Sequence, residues 1–174
     1  TKNFSKKIDN IIFSQRYRGN DSLEEFQVMV KSTEQIIFDL RKKLKPNSSI
    51  VIMSSVSTKS VVLDQNLNYH LIRGALNELT KYFAVKLGKY KIRVNCIMAS
   101  RAIKKENINF YQKKNNKIRK QLEKITPLKR MSSSKDIANI VNLLTDDKSN
   151  YITGEFITVD GGLSLINQEH ILNI

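Results

Sequence analysis

The sequence predicts an α/β domain, a parallel sheet with flanking helices. Three observations point to it. Short apolar runs alternate along the whole chain with longer amphipathic stretches. Those stretches are too long for hairpin turns and suit crossover helices between parallel strands. The runs read as strands buried in a core. Right-handed crossovers then fix the hand of the fold. At 174 residues and 40% apolar content the chain suits one domain with a single core, and no repeat or linker divides residues 1–174.

The first apolar run, Ile8–Phe13, is a strand. Ser22 and Glu25 then have the spacing of a capping box, opening a helix over 22–44 whose apolar stripe is Phe26, Met29, Val30, Ile37, Leu40 and Leu44. Pro46 closes it. Residues 50–53 form a second strand that ends at Ser54 and Ser55. A helix over 68–87 follows, with Ile72, Leu76, Leu79 and Phe83 on one face and Gly88 as a left-handed C-cap. Residues 92–97 are a third strand. A polar helical stretch covers 104–125 and is broken by Pro127. Ser133 and Asp136 cap a further helix bearing Ile137, Ile140, Val141 and Leu144. Phe156–Val159 is the last strand, running into Asp160, Gly161 and Gly162, which read as a structural turn.

Composition narrows the classes. No apolar stretch reaches membrane-spanning length, and the lysine-rich start has no apolar region behind it, so no secretory signal is expected. The single cysteine, Cys96, lies in an apolar strand and reads as a core residue. A cytoplasmic location is the expectation. His70 and His170 lack partners at metal-ligand spacing. The net charge of +14 is spread along the chain, densest over 104–124, without a zinc-ligand set or an aromatic-glycine RNA motif. Coding rich in A and T accounts for much of the lysine, so charge alone does not assign a nucleic-acid partner. The chain begins with Thr1 rather than Met, which suggests that a front portion is missing.

The residues that carry chemistry are Ser55, Tyr69 and Arg73. Tyr69 and Arg73 are one helical turn apart, so they share a face. A cation held beside a phenol favours the phenolate, which lets a tyrosine donate or accept a proton. A serine hydroxyl at the end of the preceding strand can hydrogen-bond a substrate oxygen, at the sheet edge where ligands of α/β folds sit. On spacing alone, a half-buried tyrosine beside a solvated arginine is the commoner arrangement.

An ordered set of segments adds to this reading. They are residues 49–57, 69–76, 92–95, 127–130, 136–138, 151–154 and 159–162. In this order they resemble the short-chain dehydrogenase/reductase family, and within it the branch of 3-oxoacyl-carrier-protein reductases. The resemblance runs from about Ile8 to Leu165. It implies a Rossmann-like parallel sheet and NAD- or NADP-dependent reduction of a carbonyl or oxidation of an alcohol in a small molecule. Ser55 would polarise the substrate carbonyl, Tyr69 would be the general acid or base, and Tyr69 and Arg73 would hold the nicotinamide ribose. The helices at 22–44 and 68–87 would pair two copies into a homo-oligomer, and 104–124 would be a substrate lid.

The chain departs from the family pattern at several positions. Arg73 stands where the family has lysine; it is planar and permanently charged, a poor proton relay. The Asn-Asn-Ala-Gly after the first strand is Phe13, Ser14, Gln15 and Arg16, and the catalytic helix asparagine falls at Lys31. Ala99 and Ser100 replace a Pro-Gly, and Lys104 replaces a threonine. None of the six glycines forms the glycine-rich strand–turn–helix that receives a cofactor diphosphate. The resemblance therefore implies an incomplete domain lacking the N-terminal βαβαβ half, with its first strand left as an open edge. Three functions compete. The chain is a truncated and impaired oxidoreductase, a catalytically inactive subunit or interaction protein, or a basic nucleic-acid-binding protein.

Overall fold

A computed structural model describes residues 7–113 and 116–172; the lysine-rich start and the side chain of His170 lie outside the described residues. In chain order the elements begin with β1 (Ile8–Phe13), α1 (Ser22–Phe26), a π-helical turn (Gln27–Lys31), α2 (Ser32–Leu40), β2 (Leu44–Ser55) and α3 (Leu67–Gly88). They continue with β3 (Arg93–Ala99), β4 (Ala102–Ile103), α4 (Ile108–Tyr111), α5 (Lys117–Ile125), β5 (Ser132–Ser133), α6 (Ser134–Thr145), β6 (Phe156–Val159) and α7 (Gln168–Leu172). The main sheet has the order β1-β2-β3-β6 and is parallel throughout, while β4 and β5 form a two-stranded parallel ribbon.

Alternation along β2 divides the core in two. Ile50 and Ile52 pack with Met29, Ile37, Ile72, Leu76 and Phe83 of the helices on one face. Val51 points the other way, with Ile97 and Leu144, against Ile137, Ile140 and Val141 of α6. The second cluster is the smaller. Ile12, in register with Val51 on that face, is 44% exposed at the sheet edge. Asn95 is fully buried on β3 with both ends of its amide hydrogen-bonded: Nδ2 donates to Ile152 O at 2.8 Å and Oδ1 accepts from Glu155 N at 3.0 Å.

Several boundaries differ from the sequence expectation. The first helix begins one residue earlier: the Asp21 carboxylate accepts from Leu23 N and Glu24 N, both at 2.8 Å, and displaces Ser22 as N-cap. Glu25, freed from a capping box, accepts from Asn68 Nδ2 at 2.7 Å. The helical run stops at Leu40, not 44. Leu44 opens β2 opposite Ile8, and Pro46 sits within a bulge of that strand. Gly88 stays inside α3 in ordinary helical conformation, and the left-handed turn falls on Lys91, φ 58°. The polar stretch 104–125 is two short helices, not one. The capping box of Ser133 and Asp136 is formed in both directions.

Candidate active site

Ser54 and Ser55 end β2 at the carboxyl edge of the sheet. Asn66 caps α3, its Oδ1 accepting from Tyr69 N at 2.9 Å, which fixes Tyr69 in the first turn beside that edge. Ser54 Oγ donates to Arg73 O at 3.2 Å and ties strand to helix. The Arg73 guanidinium carbon lies 4.8 Å from the centroid of the Tyr69 ring. Its Nη1 donates to Met53 O at 3.3 Å, and its buried Nε has no partner among the described residues. Ser55 is buried, and its Oγ accepts from Ser57 N at 3.2 Å, which leaves the hydroxyl proton for an outside acceptor. His70 holds the intervening loop, with Nδ1 3.1 Å from Ser57 O and Nε2 3.4 Å from Val62 O.

Ser55, Tyr69 and Arg73 line one open cleft of about 530 Å³. A second cleft of about 540 Å³ adjoins it and shares Tyr69, Arg73, Ala99, Ser100 and Lys104. Both are lined by Arg16, which with Arg18 bonds Glu106 at 3.3 and 3.0 Å, joining the loop after β1 to the segment after β4. Arg101 pairs with Asp64 on the opposite wall and, chiefly through that hydrogen bond, holds the Asp64 carboxyl below the usual range. Ile118 and Leu122 of α5 line one side of it.

The remaining departures fall as follows. Gln15 donates to Thr33 Oγ1 at 2.6 Å, binding the loop after β1 to α2. Lys31 is exposed and pairs with Glu34. Cys96 is a core residue: burial pushes its thiol up to about 12, which makes it inert as a nucleophile. Gly161 and Gly162 have φ of 66° and 87°, and a Cβ on Gly161 would meet Thr126 Cγ2 at 2.8 Å, so this turn is packed rather than open to a phosphate. Among the described residues no group of three or more His, Cys, Asp and Glu side chains could hold a metal ion, and no helix is long and apolar enough to cross a membrane. Sequence reasoning missed Glu106, Asp64 and Arg101. Their partners are 37 to 90 residues away in the chain, so no local spacing marks them.

A family model described as enoyl-(acyl carrier protein) reductase matches residues 16–164. The tropinone reductase-like 3 protein of Erythroxylum coca is 31% identical over 79% of this chain and 52% of its own length. The NADH-dependent enoyl-acyl-carrier-protein reductase FabI of Buchnera aphidicola is 36% identical over 73% of this chain and 48% of its own. The chain thus spans about half the length of the curated relatives it matches. A short-chain dehydrogenase family protein of Francisella tularensis superposes with a TM-score of 0.78 at 29% identity, covering 93% of this chain and 73% of that one. The angucycline C-6 ketoreductase LanV, solved with bound NADP, shares the fold at a TM-score of 0.77 and 21% identity. The chain belongs to the short-chain dehydrogenase/reductase family, whose members are NAD(P)-dependent oxidoreductases.

Proposed function

We propose that this chain carries the substrate-side half of a carbonyl reductase, with Tyr69 as proton donor, Ser55 as the hydrogen-bond donor to the substrate oxygen and Arg73 as the group that orients the tyrosine. The observation that carries the reading is the shared cleft: phenol, strand-end hydroxyl and guanidinium face one opening at the carboxyl edge of a parallel sheet. In reduction the Tyr69 hydroxyl donates its proton to the substrate oxygen as that oxygen gains charge, and Ser55 donates a hydrogen bond to the same atom. In oxidation the proton returns to Tyr69.

The fit to a nicotinamide cofactor is partial. Tyr69 and Arg73 line the cleft that would take the ribose at the nicotinamide end. The left-handed glycines are packed into turns, so the described residues offer no cradle for the diphosphate. When bound, the cofactor supplies the hydride. Arg73 is stacked on Tyr69 and donates to Met53 O, and its permanent charge cannot pass a proton onward. Both features support an impaired catalyst when the polypeptide acts alone. Exposed Phe38, Leu71 and Val85 on α2 and α3 support pairing of two copies through those helices.

The test is NADPH and NADH oxidation by the purified chain against a panel of small ketones and 3-oxoacyl thioesters. Slow turnover that falls about 10²–10⁴-fold in Tyr69→Phe supports the assignment. Turnover unchanged in Tyr69→Phe removes it, and no cofactor binding by a folded sample favours the inactive-subunit reading.

A further inference from the structure

We propose that a second cleft, at the opposite edge of the sheet from Tyr69, binds the phosphates of a nucleotide, with the base against Tyr90. This cleft of about 620 Å³ lies where β2 and β3 begin and α2 and α3 end. Lys7, Arg41, Lys42, Lys89 and Lys91 line it, and among the described residues no carboxylate does. The carboxylate of Asp9 on the neighbouring strand is taken by Lys45 at 2.6 Å.

Helix ends explain part of this charge. Arg41 and Lys89 are the C-caps of α2 and α3, where a cation offsets the negative end of the helix dipole. Lys91, whose N–H donates to Gly88 O at 2.8 Å in the turn that ends α3, shares that reason, whereas Lys7 does not. Lys7 precedes a strand and reaches across to Lys42 O at 3.4 Å. Lys91 holds φ 58°, a conformation that glycine adopts freely and a residue with a Cβ does not. Asn47, also left-handed at φ 68°, donates its N–H to Lys91 O at 2.8 Å, which ties the start of β2 to the turn that carries Lys91. A lysine is thus kept where the backbone favours glycine.

Tyr90 supplies the second element. It is 53% exposed, and Lys89 Nζ lies 5.1 Å from its ring centroid. A ring with a cation on one face leaves the other to stack on a base, the pairing of aromatic and positive charge that single strands and nucleotides use. The volume is that of a small-ligand pocket.

The experiment titrates the full chain with three probes: fluorescent oligothymidylate of twelve nucleotides, ATP, and inorganic tripolyphosphate. The double variant Lys42→Ala/Lys91→Gly removes two charges while relieving the left-handed strain, so it keeps its fold. The control Lys117→Ala/Lys120→Ala removes the same charge from exposed positions on α5. The expected result is binding that weakens at least tenfold in the cleft variant and less than twofold in the control. Tyr90→Ala weakens the two base-bearing probes and leaves tripolyphosphate unchanged. Binding of the oligonucleotide alone identifies a nucleic-acid strand as the source of the phosphates, and binding of ATP as well identifies a free nucleotide. No binding, equal losses in cleft and control variants, or equally tight binding of polyglutamate overturns the proposal.

Discussion

Arg73 is the side chain on which the proposed chemistry turns. Stacked on Tyr69 and bonded to Met53 O, it fixes the ring but cannot hand a proton onward. Arg73→Lys restores a compact ammonium with rotatable donors, and we expect it to raise turnover several-fold, whereas Arg73→Ala lowers it; initial rates of NADPH oxidation read both. The pair was visible in the sequence because helical spacing is local. The stacking of the guanidinium on the ring was not, since spacing places two side chains on one face without fixing their rotamers. Cys96 gives a second prediction at this scale. Burial pushes its thiol up to about 12, above the ~8.5 of a free thiol. The unfolded chain therefore loses this proton first. The contribution to stability is whole below pH ~8.5 and is lost as pH rises toward the folded value. Alkylating reagents at pH 8 should leave the folded chain unlabelled and label it fully in urea. Cys96→Val should flatten the alkaline fall in urea-unfolding midpoints.

At the scale of elements, legibility followed the locality of the signal. β1 and β6 were readable to the residue because the apolar positions that mark each strand are local to the sequence. The capping box at Ser133 and Asp136 was readable because both partners lie within one turn. The box at Ser22 and Glu25 had the same spacing and did not form, because the Asp21 carboxylate, one position earlier, accepts two N–H groups at once. Leu44 extended the helical stripe by coincidence of period; pairing with Ile8, a contact 36 residues away, placed it in a strand. Ser133→Ala should cost about 1 kcal/mol, seen as a Tm lower by about 2–4 °C. Asp136 is held far below the usual carboxylate range by Arg130, with Ser133 adding to it. Its stabilisation is present above the ordinary carboxylate value and is lost as pH falls through the folded one. Asp136→Asn should accordingly reduce the slope of acid unfolding. β1 presents a sheet edge with Ile12 44% exposed. Ile12→Lys should reduce aggregation in light scattering without lowering Tm, since a charged edge resists strand addition.

For the whole molecule, the chain covers about half the length of the curated relatives it matches. The described residues assemble the cleft of Ser55, Tyr69 and Arg73 and offer no diphosphate cradle. This division is physical. The candidate groups stand on β2 and α3, which pack against the larger core, and that packing fixes their positions. The fold class was legible because it rests on runs, caps and helical spacing, while Ser55, Tyr69 and Arg73 stand as candidates raised by the family resemblance and brought to one cleft by the fold. The Arg16–Glu106 and Arg101–Asp64 pairs that wall the cleft were not, because only the completed topology brings those loops together. The most direct measurement is a calorimetric titration of the chain with reduced nicotinamide riboside, which carries the nicotinamide ribose without any phosphate. Saturable binding that is lost in Arg73→Ala is the predicted result. A folded chain that releases no heat, or binds equally well without Arg73, would contradict the account.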